Sequence, residues 1–329
     1  MNVGTVTPGP TDAISGLAFS PQADLLAASS WDNNVRIYEI QANGTSVAKS
    51  MYSHDAPALS VAWSRDGTKI ASGGADKQAK MFDITTGQSQ VVAQHDAPIK
   101  EVRWVDGPIL ATGSWDKTIK YWDLRQQAPV TTVALPERLY TMDAVGMLMV
   151  AGTAERHILI YNLNNPSQPF KTMQSPLKWQ TRTISCFPNA SGFAVGSIEG
   201  RVAIQYVEDK DQGGNFSFRC HREGGTTHRD KATIYPVNSI QWNPVFGTFS
   251  TAGGDGGIVF WDKDAKQKLK VFDKVNQPIA ASCFNSKGNI FAYGVGYDWH
   301  KGHSGAQQGT QNKIMLKSVN EADIKPRKR

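Results

Sequence analysis

Short runs of alternating apolar and polar residues recur along the whole chain, and turn-forming residues separate them. The pattern is clearest at residues 110–122, where an apolar, β-branched run, a turn around Asp116 and a second alternating run predict a β-hairpin. Similar hairpins occur at residues 27–40, 71–84, 150–163, 194–207 and 251–264, and a seventh begins at Phe291 and resumes at Lys313. The chain is therefore predicted to be all-β and built from seven copies of one unit.

An acidic residue marks the turn of each hairpin. The seven turn acids are Asp32, Asp76, Asp116, Glu155, Glu199, Asp255 and Asp298. They recur at intervals of about 40 to 44 residues with one interval near 56, and the third hairpin ends in a Trp-Asp dipeptide. Period and dipeptide together predict a seven-bladed WD40 β-propeller, in which each blade is a sheet of four strands lettered a to d from the centre outward.

The two ends of the chain are predicted to complete the ring. Each unit can bury its faces only against neighbouring units, and an open ring would leave unpaired strand edges in water. The seventh unit lacks an outer strand, so we assign that role to the extended N-terminal segment, residues 2–7. We expect one propeller domain, residues 1–320, followed by a basic C-terminal tail, residues 321–329.

The composition is typical of a soluble globular protein. Hydrophobic residues make up 40% of the chain, and no apolar run approaches the roughly 18 residues of a membrane span. The N-terminus has no basic segment followed by an apolar core, so we expect no secretory signal. Cys186, Cys220 and Cys283 fit a reducing compartment as small buried residues. The net charge of +6 favours an acidic partner or nucleic acid.

Histidine, serine or threonine, aspartate and tryptophan recur in matching positions and predict buried hydrogen-bond networks that stabilise the blades. The predicted structural residues are His54, Ser72, Asp76, His95, Thr112, Asp116, Trp122, Asp255 and Trp261. The set looks like a catalytic triad, but its recurrence from blade to blade favours a scaffold role. In the sequence only blade 3 has the complete set, and blades 4 and 5 replace the turn aspartate with glutamate, which predicts a looser network or none.

Other arrangements that could carry chemistry are weak. His300 and His303 could join His221 and His228 in a zinc cluster, but no cysteine or carboxylate lies at ligand spacing, so polar loops are the better interpretation. The glycines of residues 253–257 lie in a hairpin and do not open a helix, which argues against a phosphate-binding loop. We therefore expect a protein that is not an enzyme and has no cofactor or metal.

Propeller geometry brings residues from distant repeats together on one face. The d-to-a and b-to-c connections of every blade lie on the same rim, which we call the top face. Cations and aromatic residues on this face have the composition of a recognition surface for an acidic peptide or single-stranded RNA. The predicted partner-binding residues are Trp31, Trp115, Lys117, Arg156, Lys178, Arg182, Arg201, Arg219, His221, Arg222, Tyr297, Asp298, Trp299 and Lys301. Further cations and one aromatic residue expected there are Lys77, Arg138, Trp179, Arg229 and Lys231.

Several segments closely resemble the WD-repeat mRNA export factors of the Rae/Gle type. They are SPLKWQTR (175–182), GSIEGRVAIQY (196–206), NFSFRCHR (215–222), FWDKDAKQKLK (260–270) and YDWHKGH (297–303), and the resemblance covers nearly the whole chain. The chain resembles the related Bub-type spindle-checkpoint propellers less closely. The resemblance implies a nuclear-pore protein that shuttles to the cytoplasm, binds the GLEBS hairpin of a nucleoporin on its top face, supports poly(A) RNA export, contacts RNA weakly and has spindle roles in some lineages.

This resemblance and the spacing of the cations together predict a central pocket. We expect Arg222 to point toward the centre of the ring with Lys178, Arg182 and Arg201 nearby, where it would pair with glutamates of the nucleoporin hairpin. Trp31, Trp115 and Trp299 would flank this pocket as apolar anchors. The protein would then be a monomeric propeller within a heterocomplex.

Two alternatives stay open at this point. The same face could serve a kinetochore, spindle-checkpoint or ubiquitin-ligase adaptor that binds another linear motif. In the C-terminal tail, Lys325, Arg327, Lys328 and Arg329 form either a nuclear address or a solvated basic end.

Overall fold

The computed structural model describes residues 3–105, 107–224, 231–306 and 311–327. Seven four-stranded antiparallel sheets surround a central channel, which confirms the seven-bladed β-propeller. Four residues discussed above, His228, Arg229, Lys328 and Arg329, lie outside the described residues. No helix within the described ranges is long and apolar enough to cross a membrane.

The strands follow the predicted order along the chain. Strand β1 (Val3–Thr5) precedes blade 1, which comprises β2 (Ile14–Phe19), β3 (Leu25–Ser30), β4 (Asn34–Ile40) and β5 (Ser46–Ser53). Blade 2 comprises β6 (Ala58–Trp63), β7 (Lys69–Gly74), β8 (Gln78–Asp83) and β9 (Gln88–Gln94). Blade 3 comprises β10 (Ile99–Trp104), β11 (Ile109–Ser114), β12 (Thr118–Asp123) and β13 (Thr131–Ala134). Blade 4 comprises β14 (Leu139–Val145), β15 (Leu148–Thr153), β16 (His157–Asn162) and β17 (Lys171–Gln174).

The later blades carry the insertions. Blade 5 comprises β18 (Thr181–Cys186), β19 (Gly192–Ser197), β20 (Arg201–Tyr206) and β21 (Phe216–Arg219). A separate hairpin of β22 (Arg222–Gly224) and β23 (Ala232–Ile234) leads into blade 6, which comprises β24 (Val237–Trp242), β25 (Phe249–Gly253), β26 (Ile258–Asp262) and β27 (Gln267–Val271). Blade 7 contains β28 (Ile279–Phe284), β29 (Ile290–Val295) and β30 (Lys313–Ser318), and helix α1 (Glu321–Ile324) follows. Short 3-10 helices lie at Ala154–Arg156, Asp209–Gly214 and His303–Gly305.

The N-terminal strand closes the ring as predicted. Strand β1 pairs antiparallel with β30 and becomes the outer strand of blade 7. Val6 is buried between blades 7 and 1, and the Tyr38 hydroxyl donates a hydrogen bond to the Pro8 carbonyl oxygen at 2.7 Å. The segment that follows β1 therefore also holds blade 1 against blade 7.

The hydrophobic core consists of clusters that lie between neighbouring blades. In the cluster between blades 7 and 1, for example, Leu26 and Tyr38 pack with Cys283 and Leu316. All three cysteines are buried with free thiols, as the sequence predicted. Because apolar side chains of one blade are covered by the next, a single blade has no closed core of its own.

A β-bulge near the start of strand a recurs in every blade. The register between strands a and b shifts between Ile14 and Gly16 in blade 1 and at the corresponding place in the other six. An extra residue at this point bends the innermost strand and re-aims its side chains, some of which face the channel. The alternation of the sequence did not indicate these bulges.

The packed structure extends past residue 320, where the tail was predicted to begin. Ile324 of α1 is buried in the cluster of blades 6 and 7, and the Thr248 hydroxyl donates to its carbonyl oxygen at 2.7 Å. The Arg327 guanidinium donates to the Leu269 carbonyl oxygen at 3.3 Å. The predicted boundary is therefore too early, because one apolar residue anchors this short, largely polar segment to the propeller.

Candidate docking face

The predicted hydrogen-bond network is present in blade 3. His95 bonds to Asp116 through Nδ1 at 2.8 Å and to the Thr112 hydroxyl through Nε2 at 2.7 Å, and the Trp122 indole N–H donates to the same hydroxyl at 2.8 Å. Asp116 also accepts the backbone N–H of Asp96 at 3.1 Å. Burial lowers the pKa of His95 despite the opposing attraction of Asp116. The network ties the d-to-a loop to the b-to-c turn and makes blade 3 rigid at the top face.

Blade 2 achieves the same connection without a tryptophan. His54 bonds to Asp76 at 2.9 Å and to Ser72 at 2.7 Å. Phe82 occupies the position of the blade 3 tryptophan, and the Tyr52 hydroxyl donates to Ser72 at 2.9 Å in place of the indole. A tyrosine from β5, the outer strand of the neighbouring blade 1, therefore completes the set of blade 2.

Blade 6 also holds a complete network, which corrects the prediction that blade 3 alone has one. His221 bonds to Asp255 at 2.7 Å and to Thr251 at 3.0 Å, and the Trp261 indole N–H donates to Thr251 at 2.9 Å. The side chain of His221 is only 1% exposed, so its predicted place on the partner-binding surface is wrong. The β22–β23 hairpin separates His221 from strand a, and this insertion hid the histidine from a search based on spacing.

The turn aspartate of blade 6 is also held by a lysine. Burial would raise the pKa of Asp255, but the hydrogen bond and charge of His221 and a hydrogen bond from Lys274 outweigh burial and lower it. Lys274 lies 3.0 Å from Asp255 and 2.6 Å from Glu223 of the β22–β23 hairpin. These contacts fix the base of the hairpin to blade 6.

Several predicted cations meet where blade 5 faces the β22–β23 hairpin. The Arg222 guanidinium donates to the carbonyl oxygens of Glu199 at 2.7 Å and Gly200 at 3.4 Å. Arg201 lies opposite Arg219 where β20 pairs with β21, and burial, followed by the charges of these two arginines, lowers the pKa of Arg222. We call Arg201, Arg219 and Arg222 the arginine cluster.

Lys178 and three large apolar side chains extend the surface around this cluster. The backbone N–H of Lys178 donates to the Glu199 carboxylate at 3.0 Å, and the lysine side chain is exposed. Exposed fractions of 61% for Trp179, 38% for Ile198 and 44% for Ile234 are high for such residues. The two isoleucines were not predicted, because a single exposed isoleucine in a turn or short strand has no distinguishing pattern.

Arg182 does not lie in the arginine cluster, which contradicts the predicted central pocket around Arg222. Its Nε donates to the Asn238 side-chain oxygen at 3.0 Å, and its Nη2 donates to the Asp298 carbonyl oxygen at 2.8 Å. Arg182 lines the central channel together with Trp31, Trp115 and Trp299, whereas Arg222 does not line it. The structure therefore places the tryptophans around a different arginine from the one predicted.

Asp298 is a buried residue, which corrects its predicted place on the binding surface. Its carboxylate accepts hydrogen bonds from the Asn238 amide at 2.9 Å and from His300 at 2.5 Å, and its side chain has no exposed area. The residue after it, Trp299, has a φ of 60°, in the left-handed region that few tryptophans adopt. Asp298 therefore fixes the backbone that presents Trp299.

The Trp299 indole covers part of the channel mouth. It stacks on Trp31 with ring centroids 4.5 Å apart and 22° between the ring planes, and the Tyr297 ring lies 5.7 Å away. The Trp299 Nε1 atom is buried and has no hydrogen-bond partner among the described residues. A buried N–H without an acceptor is unfavourable, so this closed arrangement carries a cost.

The remaining predicted top-face residues differ in how freely they can bind. Trp115 is 36% exposed, and Lys301 is exposed. Lys117 forms an ion pair with Glu137 at 2.5 Å, and the Arg156 guanidinium donates to the Leu177 carbonyl oxygen at 3.0 Å. Lys117 and Arg156 are thus already engaged within the protein.

The channel wall carries a charged cluster that the sequence analysis missed. The channel has a volume of about 840 Å³. Arg103 forms ion pairs with Glu101 at 2.9 Å and Asp143 at 3.2 Å, and Asp143 accepts the Cys186 backbone N–H at 2.7 Å. Burial raises the pKa of Asp143. The signal was present in the sequence of β10, IKEVRW, because three charges are unusual on the innermost strand of a blade.

No group of three or more histidine, cysteine, aspartate or glutamate side chains is arranged to hold a metal ion within the residues that the structure describes. His221 and His300, two members of the weak zinc hypothesis, bond to Asp255 and Asp298 respectively. His228, another histidine of the predicted cluster, lies outside the described residues.

Comparisons with known proteins agree with the architecture. Residues 17–105 match the family model of the anaphase-promoting complex subunit 4 WD40 domain, and residues 88–123 match that of the WD domain, G-beta repeat. The chain is 56% identical to a poly(A)+ RNA export protein of Schizosaccharomyces pombe, with 97% of this chain and 91% of that protein covered.

Two further relatives are similar over nearly their full length. The mRNA export factor GLE2 of Chaetomium thermophilum is 51% identical, covering 97% of this chain and 90% of the relative, and protein RAE1 of Arabidopsis thaliana is 50% identical, covering 98% and 93%. Identity of this extent over nearly the whole chain, together with the WD40 propeller, shows that the chain belongs to the Rae1/Gle2 family of WD-repeat mRNA export factors.

Proposed function

We propose that this protein is a docking platform that acts in mRNA export at the nuclear pore and does so by binding, without catalysis. Its relatives include a poly(A)+ RNA export protein and an mRNA export factor, which supports a role in this process. Its partner would be an acidic nucleoporin hairpin of the GLEBS type, bound across the top face. Weak contact with single-stranded or poly(A) RNA would be a secondary activity of the same cations.

The arginine cluster is the observation that carries this proposal. Three guanidinium groups on one side of the top face repel one another, and only Glu199 offers them a carboxylate within 4 Å among the described residues, at 3.8 Å from Arg201. Carboxylates of a partner would relieve that repulsion. Arg222 is already oriented by two backbone carbonyls, so little side-chain entropy would be lost on binding.

The exposed apolar side chains beside the cluster favour a peptide as the main partner. Trp179 and Ile234 are each more than 40% exposed, and apolar anchors next to cations are typical of protein interfaces. RNA would use the cations and stack bases on the indole, but it would gain little from the isoleucine side chains. Peptide docking would therefore depend less on salt concentration than RNA binding, whose log affinity falls by about 0.7 per neutralised phosphate per tenfold increase in salt.

Titration calorimetry with a GLEBS-type nucleoporin hairpin peptide tests the proposal. We expect Arg222→Ala to weaken binding by about 2 kcal/mol or more, because a carboxylate would be left desolvated and unpaired. Lys117→Ala should cost under about 1 kcal/mol, since this lysine is exposed and already paired.

Arg125→Ala is the matched control, because Arg125 is an exposed arginine in the c-to-d connection, on the opposite face. Equal, small losses for Arg222→Ala and Arg125→Ala would contradict docking at the arginine cluster. Purification of the tagged protein at mild salt separates the alternatives, since recovery of a checkpoint protein without any nucleoporin would favour the adaptor function.

A further inference from the structure

The mouth of the central channel contains hydrogen-bond donors that lack acceptors. The Trp299 indole N–H has no partner among the described residues, and neither does the hydroxyl of Thr181, a residue only 1% exposed. Thr181 and Trp299 both line the channel with Arg182. Native proteins satisfy nearly all buried polar groups through protein or water partners, so these donors are available to an acceptor that enters the channel.

Arg182 adds a charge to these donors. The guanidinium uses Nε and Nη2 for an amide oxygen and a backbone carbonyl, and within the described residues it forms no ion pair with a carboxylate closer than 4 Å. Burial lowers the pKa of Arg182, although the charge of Asp298 opposes that change. The positive charge of Arg182 is therefore only partly balanced by negative charge nearby.

The acid nearest to this arginine is turned toward other groups. The Asp298 carboxylate accepts hydrogen bonds from Asn238 and His300, while Arg182 contacts only its backbone carbonyl oxygen. The other acids that line the channel, Glu101 and Asp143, are paired with Arg103. Position, charge and the excess of donors all favour an anion with planar acceptor oxygens.

The geometry points to the channel mouth as a carboxylate site: a glutamate or aspartate side chain of the docking partner enters between Trp31, Trp115 and Trp299 and pairs with Arg182. The carboxylate also accepts the hydrogen bond of the Trp299 indole, which tilts away from Trp31 to offer it. This inference rests on the proposed function, and it assigns one acidic residue of the partner to a site distinct from the arginine cluster.

Trp299→Phe tests the site with a small change, because phenylalanine keeps an aromatic ring for stacking and lacks the pyrrole ring of the indole with its polar N–H. In the free protein the substitution removes an unpaired buried donor, so the urea denaturation midpoint should be equal to or higher than that of the wild type. Binding of the GLEBS-type hairpin peptide should weaken by roughly 10-fold, because a hydrogen bond to a charged acceptor is lost.

Trp122→Phe is the matched control. It removes an indole N–H that is satisfied by Thr112, so the denaturation midpoint should fall and the peptide affinity should stay within about twofold of wild type. The site therefore predicts that Trp299→Phe weakens peptide binding without loss of stability, whereas Trp122→Phe lowers stability without weakening peptide binding. Equal peptide affinity for Trp299→Phe and wild type would overturn the inference.

A double-mutant cycle identifies the partner residue. Each acidic residue of the peptide is replaced in turn by its amide, and every peptide is titrated into wild type, Arg182→Lys and Arg222→Lys proteins shown to be folded. At one position of the peptide, the amide substitution should lower the affinity for the wild type on the order of 30-fold but should lower the affinity for Arg182→Lys only slightly. The substitution at a different position should show the same coupling to Arg222.

A second probe keeps the inference testable if the nucleoporin peptide does not bind. Binding of a short glutamate-rich peptide of unrelated sequence should change the tryptophan fluorescence of the wild type and of Arg222→Lys. Titration of Arg182→Lys with the same peptide should give an affinity about 10-fold weaker. Failure of the nucleoporin peptide alone would refute the proposed function. Binding of either peptide without any coupling to Arg182 would refute the carboxylate site.

Discussion

Replacing His221 with alanine distinguishes a structural residue from a binding residue at a position where sequence and structure disagree. His221 follows Arg219 and Cys220 in a basic segment, which suggested a surface role. In the structure its ring is buried and joins Asp255 to Thr251. We expect His221→Ala to destabilise blade 6 without changing the docking surface.

The size of the expected stability loss depends on which groups lose their hydrogen-bond partners when His221 is removed. Thr251 keeps the hydrogen bond from Trp261, and Asp255 keeps Lys274 at 3.0 Å and the Gly257 N–H at 3.1 Å. Breaking a buried charged pair costs about 3 to 5 kcal/mol when the remaining partner is left alone. Because Asp255 is not left alone, we expect a loss of about 2 to 4 kcal/mol, part of which comes from the cavity.

Equilibrium urea unfolding followed by tryptophan fluorescence measures this loss. Arg219→Ala is the control, since it changes an exposed residue of the same segment and should alter stability by less than about 0.5 kcal/mol. Calorimetry with the acidic hairpin peptide is then carried out on His221→Ala under conditions in which this variant is folded. Its affinity should be within about twofold of that of the wild type. A His221→Ala protein that unfolds like the wild type but no longer binds the peptide would refute the buried-network interpretation.

Two further predictions concern ring closure and pH. Deleting residues 1–8 should lower stability by roughly 3 to 5 kcal/mol, because β1 and the buried Val6 are lost from blade 7, and a thermal unfolding curve like that of the full chain would contradict closure by this strand. Acidification from about pH 7.5 to 5.5 should lower the urea midpoint, because the pKa of His95 is lowered in the folded protein and the unfolded chain takes up a proton near pH 6.5 that the folded one does not. His95→Gln should show a smaller decrease, and a wild-type midpoint that rises on acidification would show that His95 is not held neutral.

Local patterns predicted the repeating part of the structure well. The hairpin predicted at residues 71–84 corresponds to β7 (Lys69–Gly74) and β8 (Gln78–Asp83), so its limits were predicted to within two residues. The network residues of blades 2 and 3 were found because each recurs at a similar distance from its hairpin. Asp255 and Trp261 of blade 6 were also predicted as network residues, but His221 was not, because the β22–β23 insertion changes its distance from the hairpin.

The predicted neighbours on the top face were partly wrong, and binding at that face stays a prediction. The propeller rule placed the connections on one rim, but it did not say which side chains turn outward. Asp298 turns inward because Asn238 and His300 satisfy its carboxylate, and Arg222 is held by backbone carbonyls beside blade 5. Such choices depend on acceptors supplied by other blades, which no local pattern contains.

The sequence by itself determined the blade count, the approximate strand limits and the strand that closes the ring, because alternation, turn chemistry and edge pairing act over short distances or recur with one period. Only the tertiary structure decided which residues share the channel mouth. Arg182 of blade 5 reaches Asp298 of blade 7 across 116 positions of the chain, and Trp299 meets Trp31 of blade 1. Those contacts exist because the ring closes and brings blades 1, 5 and 7 around one channel, so their geometry is set by the closed ring and not by any repeat.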